Sequence, residues 1–168
     1  PSRQFNRRDN HPAESLCWLE AMAYCRWLSA RLGYEVRLPT EWEWQQAATG
    51  GDPANQYPWG SEWDGNRANT YESELSHTTA VGMYPHGISP VGVLDMSGNV
   101  WEFCLNEYSK PQNVTLLGRS YRVVRGGAWF DARSVARAAF RFFNAPVNRL
   151  FNVGFRVAWA SPVENIEY

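Results

Sequence analysis

The chain has 168 residues and a formal net charge of −1, and this length suits a single domain, 1–168, with a sizeable core. The charge excludes the strongly basic surface of nucleic-acid-binding domains, so we expect no nucleic-acid partner. No apolar run is long enough to span a bilayer, so we also expect no membrane insertion of this segment.

The three cysteines favour a reducing compartment, because they are odd in number and lack the CxxC spacing typical of zinc sites. The sequence begins without an initiator Met, so we expect it to be part of a longer protein. Localisation then stays open between the cytoplasm and display at a surface, depending on the rest of that protein.

The beginning of the chain predicts an irregular lead-in, residues 1–15, followed by a helix. From residue 16 to residue 32, apolar side chains recur at helical spacing, in a stripe through Leu19, Ala23 and Trp27. Gly33 comes directly after this stretch and predicts the C-cap, because glycine readily adopts the left-handed conformation that ends helices.

A second, shorter helix is predicted over residues 41–48, after the extended segment 36–38. Thr40 and Glu43 have the spacing of a capping box, in which each side chain bonds the backbone N–H of the other residue. Thr49-Gly50-Gly51 ends this helix. The aromatic content, with nine Trp, eight Tyr and eight Phe, indicates a loop-rich fold held by aromatic side chains.

The rest of the chain is rich in turns, with strands predicted towards the C-terminus. Residues 52–90 contain many turn residues, and Tyr57-Pro58-Trp59-Gly60 predicts a tight aromatic turn. Strands are predicted over 121–129, 132–143 and 153–159. Gly126 and Gly127 interrupt the first of these and predict a bulge or a close backbone approach.

Six short motifs in this order resemble the formylglycine-generating, or sulfatase-modifying, family over residues 11–158. They are AYCRWL (23–28), RLPTEWEW (37–44), YPWG (57–60), DMSGNVWE (95–102), RGGAW (125–129) and GFR (154–156). The resemblance implies an α+β, C-type lectin-like fold with two helices, a small twisted antiparallel sheet and long loops. Most motif residues then have structural roles. We expect Arg37 and Arg156 to tie loops together, and core positions for Trp42, Trp44, Trp59, Trp101 and Trp129.

The catalytic chemistry of the resembled enzyme is not expected here. That enzyme oxidises a substrate cysteine and needs two active-site cysteines, whose positions align with Arg133 and Ala138 in this sequence. Related thiol oxygenases use iron held by clustered histidines, whereas His11, His77 and His86 are dispersed. We therefore predict no catalytic residues and no catalytic cofactor.

Structural calcium is a further implication of the resemblance. The motif at 95–102 matches a family site in which Asp95 and Glu102 would supply carboxylates, and Gly98 and Val100 backbone carbonyls. Oxygen ligands from a tight turn suit Ca²⁺. The alternative is that Asp95 and Glu102 cap turns without metal.

Residues 130–153 place large apolar side chains among arginines and asparagines in a segment that the family uses as irregular surface. Phe142 and Phe143 are adjacent, as are Leu150 and Phe151, so strict alternation fails and some of these groups should be exposed. Aromatic and Arg side chains together are typical of binding hot spots. The predicted contact residues are Phe130, Asp131, Arg133, Ser134, Phe140, Phe142, Phe143, Val147, Arg149, Leu150 and Phe151.

This region, 125–158, also resembles the variable region of proteins diversified by retroelements, which use the same fold. Their variable codons descend from AAC by changes at the adenines, and such changes cannot give Lys, Glu, Gln, Met or Trp. None of these five types occurs from Phe130 to Val153. The resemblance implies a hypervariable ligand-binding surface, with a protein ligand of unknown identity. The alternative is a family member that is inactive or has other oxidoreductase chemistry.

Overall fold

The computed structural model describes residues 10–159, which form two α-helices, six strands and three single-turn 3₁₀ helices (Gly65–Arg67, Tyr71–Ser73 and Pro85–Gly87). The α-helices are α1 (Trp18–Leu32) and α2 (Glu41–Thr49). The strands are β1 (Val36–Arg37), β2 (Trp101–Glu107), β3 (Arg122–Arg125), β4 (Phe142–Asn144), β5 (Val153–Gly154) and β6 (Ala158–Trp159). Most of the predicted lead-in, residues 1–9, lies outside the described residues. Within residues 10–159, neither α-helix is long and apolar enough to cross a membrane.

Helix α1 begins two residues later than predicted, ends where predicted, and buries a different face. Gly33 ends the helix in the left-handed conformation, with φ of 80°, as predicted. The predicted stripe is wrong, because Leu19 and Trp27 are about half exposed, at 47% and 54%. The buried face is formed by Trp18, Ala21, Met22 and Cys25. Apolar residues occur on both sides of this helix, so spacing alone could not select the side that meets the core.

Helix α2 begins with the predicted capping box. The Thr40 hydroxyl accepts a hydrogen bond from the Glu43 N–H at 3.2 Å, and the Thr40 N–H donates to the Glu43 carboxylate at 2.8 Å. Arg37 donates twice to the same carboxylate, at 2.6 and 2.7 Å, and so ties β1 to α2 as expected. Gly50 ends the helix with φ of 65°.

The main sheet has the strand order β4-β3-β2-β5 and is mixed, whereas the sequence predicted an antiparallel sheet. β2 pairs antiparallel with β3, and β3 with β4, but β5 runs parallel to β2. β1 and β6 form a separate antiparallel pair. All seven residues of β2 are buried, which removes the alternating pattern that would have predicted this central strand.

Gly126 and Gly127 end β3 and make the predicted close approach. Their φ values are 94° and 73°, in the left-handed region that favours glycine. A Cβ atom at Gly127 would lie 3.1 Å from the Ala136 Cα, and one at Gly126 would lie 3.3 Å from the Trp44 ring. The two glycines therefore let residues around Ala136 pack directly against the end of the sheet.

Two further expectations need correction. Within residues 132–143, only the last two belong to a strand, β4, and the preceding residues form turns. Of the predicted core tryptophans, Trp44 and Trp101 are buried, and Trp59 and Trp129 are half-buried. Trp42 is 57% exposed, because it lies on the opposite face of α2 from Trp44.

Candidate functional site

The backbone of residues 130–152 is attached to the rest of the domain along its length. These attachments are hydrogen bonds between main-chain atoms, so they do not depend on which side chain a position carries. They are Tyr71 N–H to Asp131 O (3.0 Å), Ala138 N–H to Gln56 O (2.7 Å), Ser15 N–H to Leu150 O (3.1 Å) and Trp101 N–H to Asn152 O (2.8 Å).

A buried ion-pair network fixes the middle of the segment. The Glu41 carboxylate is 1% exposed, accepts a 2.8 Å hydrogen bond from Arg125 on one oxygen, and accepts hydrogen bonds from Arg141 on both oxygens. Arg125 also donates to the Ala138 carbonyl at 2.6 Å. Interaction with Glu41 raises the pKa of Arg141. Arg141 therefore anchors the segment, although in sequence it lies between two predicted contact residues, Phe140 and Phe142.

Six apolar side chains of this segment point to solvent. Their exposed fractions range from 37% for Phe143 to 57% for Val147. Isolated exposed apolar groups are normal on proteins, whereas contiguous ones are typical of interaction surfaces. We call these residues the apolar surface: Phe130, Phe142, Phe143, Val147, Leu150 and Phe151.

Aromatic contacts divide part of the apolar surface into two patches. At β4, the Phe143 ring centroid lies 4.9 Å from those of Phe142, Tyr108 and Tyr121. In the second patch, the rings of Trp129, Phe130 and Phe151 are mutually 5.3 to 5.9 Å apart. Each patch combines side chains of the segment with aromatic residues outside it.

A cavity of about 280 Å³ borders the second patch. Trp129 and Phe130 form one part of its lining, and Tyr71, Glu74 and Ser76 form the rest. Tyr71 is 68% exposed. Sequence reasoning missed Tyr71, Tyr108 and Tyr121 as neighbours of the candidate site. No sequence signal indicates Tyr71 or Tyr108, which lie far from residues 130–153 along the chain, and Tyr121 comes next to Phe143 only because β3 pairs with β4.

Three predicted contact residues are held by other parts of the protein. The Asp131 carboxylate accepts a 3.0 Å hydrogen bond from the Ala128 N–H, and burial raises its pKa. Phe140 is half-buried and packs against the core beside Trp101. Arg149 is exposed but forms a two-point ion pair with Glu20, at 2.8 and 3.0 Å.

The same segment also exposes the side chains of Arg133, Ser134 and Arg137. The Arg137 Nε donates to the Ser134 carbonyl at 2.9 Å, which leaves the end of its guanidinium free. Arg137 also lines a groove of about 600 Å³ together with Phe140, Arg141 and the loop after α2. This groove lies between the segment and the loop after α2, outside the apolar surface.

The family resemblance aligns the active-site cysteines of the enzyme with Arg133 and Ala138, neither of which has a thiol. Arg133 is exposed at the first position, and Ala138 is fully buried at the second. The cysteines of the chain, Cys17, Cys25 and Cys104, are all buried and unpaired. Burial raises the pKa of the Cys25 thiol to about 11 and that of Cys104 still further. Such thiols are poor nucleophiles and poor metal ligands at neutral pH.

The dispersed histidines are not brought together. His11 lies against the Thr78 hydroxyl at 2.9 Å, His77 contacts the carbonyl of Leu75, and His86 is exposed. Among residues 10–159, no three His, Cys, Asp or Glu side chains are grouped as metal ligands. The fold thus leaves the histidines in separate surroundings.

The predicted calcium residues surround an arginine. Asp95, Gly98, Val100 and Glu102 do line one cavity, but Arg156 lies there as well. Arg156 donates to both oxygens of the Glu102 carboxylate, at 2.5 and 2.7 Å, and to the carbonyl of Asp95 at 3.2 Å. Its positive charge therefore occupies the position where the carboxylates would attract a cation, and this arrangement does not fit Ca²⁺.

A family model of the sulfatase-modifying factor enzyme 1-like domain matches residues 1–161. The chain belongs to this family. It is similar to the inactive C-alpha-formylglycine-generating enzyme 2 of Bos taurus, with 33% identity over 94% of this chain and 53% of that protein. It is also 33% identical to hercynine oxygenase of Mycobacterium tuberculosis, over 89% of this chain and 37% of the oxygenase.

A solved structure, Treponema denticola variable protein 1, has the same fold. Its TM-score is 0.80 at 24% identity, over 89% of this chain and 71% of that chain. The expected formylglycine-generating-enzyme type of C-type lectin fold is thereby confirmed, including its use by a variable protein. The chain spans about half or less of the length of the two curated relatives described above.

Proposed function

We propose that residues 130–152 form a diversified binding surface for protein ligands on a rigid lectin-type scaffold. The observation that carries this proposal is that the backbone and the side chains of the segment have separate roles. Main-chain hydrogen bonds attach the segment to the scaffold, while the apolar surface projects to solvent. Side chains there can change without altering the contacts that hold the segment in place.

The composition of the apolar surface favours a protein ligand. Phenylalanine rings offer large contact areas with few rotatable bonds, so they lose little conformational entropy on binding. The arginines beside them add hydrogen bonds and charge, as in binding hot spots. The contact set that we propose is the apolar surface together with Arg133 and Ser134. Asp131, Phe140 and Arg149 have smaller roles, because each is engaged within the protein.

A catalytic family member is the second candidate, and its support is the similarity to hercynine oxygenase. The side chains of this chain argue against that candidate. The resemblance aligns the cysteines of the formylglycine-generating enzyme with Arg133 and Ala138, and the histidines are separated among the described residues. We therefore propose that the domain is not an enzyme and needs no catalytic cofactor, like the relative named as inactive.

Sequencing of this locus and its flanking DNA in sibling isolates tests the proposal. We expect substitutions confined to the codons of the exposed segment residues, and a nearby near-copy carrying AAC at those codons. The Arg141 codon should stay constant, because Arg141 pairs with buried Glu41. An invariant segment without a near-copy would instead identify a fixed, non-catalytic family member.

A further inference from the structure

The groove between residues 137–141 and the loop after α2 has the size and lining of a ligand site. Its volume of about 600 Å³ lies within the range of ligand pockets. One part of the lining is apolar, with Pro53, Ala139 and Phe140, and another carries the amides of Asn55 and Gln56. The Asn55 Nδ2 donates to the Thr49 carbonyl at 3.0 Å, so its Oδ1 can accept from a peptide N–H, whereas the Gln56 amide can both donate to and accept from a peptide main chain.

The charge of the groove is positive. No carboxylate of residues 10–159 forms an ion pair with Arg137, and none of the lining residues is acidic. Below the groove, the single carboxylate of Glu41 faces two guanidinium groups, those of Arg125 and Arg141. This ion-pair network therefore has a net charge of about +1, and Arg137 adds a further positive charge.

We propose that this groove binds an acidic peptide segment of a protein partner, with a carboxylate on Arg137 and an apolar side chain against Phe140. Nε of Arg137 is held by the Ser134 carbonyl, so its free end is already oriented. Such preorganisation lowers the entropy lost on binding. The inference rests on the proposed function, because Arg137, Ala139 and Phe140 belong to the same segment.

Nucleic acid is a poorer match for this groove. Its affinity comes from several phosphate contacts along a basic surface, whereas the whole chain has a net charge of −1. The groove instead places a small positive charge next to an apolar wall and amides, which matches one or two carboxylates on a peptide.

Panning a phage-displayed library of random peptides on the immobilised protein tests this inference. We expect the enriched peptides to be net negative and to contain apolar residues. Synthetic copies should bind at least about tenfold more weakly to Arg137→Glu, because reversal of one interfacial charge replaces attraction by repulsion. The matched control is Arg26→Glu, which makes the same charge change at an exposed position on α1 and should leave the affinity unchanged.

Three outcomes would overturn the acidic-peptide inference: enrichment of neutral or basic peptides, equal binding to Arg137→Glu, or displacement of the peptides by duplex DNA. Absence of any enrichment would overturn it as well. None of these outcomes decides whether the segment is diversified, since the sequencing of sibling isolates answers that question without a ligand.

Discussion

At the scale of single residues, a side chain's role in residues 130–152 follows from where it points rather than from its type. Phe140 packs against the core, whereas Phe142 and Phe151 are 47% and 56% exposed. Arg141 pairs with a buried carboxylate, whereas Arg137 has no ion-pair partner within residues 10–159. Neighbouring residues of one type therefore divide into structural anchors and candidate contacts.

Truncation of the exposed phenylalanines should have little effect on stability. We expect Phe142→Ala and Phe151→Ala each to lower the free energy of unfolding by less than about 1 kcal/mol, because much of each ring is already in water. The matched control is Phe103→Ala in β2, a fully buried ring whose loss should cost about 3–5 kcal/mol. Urea denaturation measures all three. A loss at Phe142 as large as that at Phe103 would place Phe142 in the core.

At the scale of elements, β1 and α2 are joined by one carboxylate. Glu43 closes the capping box with Thr40 and accepts two hydrogen bonds from Arg37. These hydrogen bonds, that of Arg37 first, lower the pKa of Glu43 to about 2, from an ordinary value of 4.5. A lowered pKa means that ionised Glu43 stabilises the folded protein above pH 4.5. This contribution is lost as the pH falls towards 2.

The stability difference between the wild type and Glu43→Gln should therefore depend on pH. Because the Glu43 side chain is 44% exposed, we expect the difference to shrink by only about 0.5–1 kcal/mol from about pH 5 to pH 3. Denaturation at several pH values measures it, with Glu62→Gln as an exposed control outside the capping box. A difference that grew on acidification would contradict the assignment.

At the scale of the whole molecule, one buried arginine, Arg125, and one half-buried arginine, Arg156, join parts of the chain that are distant in sequence. Arg125 links β3 to α2 through Glu41, and Arg156 links the C-terminal motif to β2 through Glu102. Trp44 donates to the same Glu102 carboxylate at 2.6 Å. This second network contains Glu102 and the carbonyl of Asp95, two of the four residues that the family resemblance assigned to calcium.

Calcium should consequently leave the thermal stability of the domain unchanged. A bound ion would raise stability in proportion to the logarithm of its concentration over its Kd, so about 1 mM Ca²⁺ would reveal a site of ordinary affinity. We expect the same Tm in calcium and in EDTA, because Arg156 already neutralises Glu102. A clear rise in Tm with calcium would show that Arg156 can be displaced, and would restore the calcium site.

The sequence by itself determined the family, the two helices and their caps, because these depend on short motifs and local hydrogen bonds. The caps at Gly33 and at Thr40 with Glu43 form hydrogen bonds within one helical turn, so the spacing of residues in the sequence is sufficient to predict them. The composition of residues 130–153 likewise predicted apolar groups at the surface, and the exposed fractions agree.

Only the tertiary structure decided which face of α1 is buried, where β2 lies, and which side chains of the segment are free. Leu19 and Trp27 are as apolar as the buried residues of α1, so the choice depends on what packs against the helix. The roles of Arg141 and Arg156 depend on Glu41 and Glu102, which are 100 and 54 residues away in the chain. Such long-range pairings leave no local pattern in the sequence.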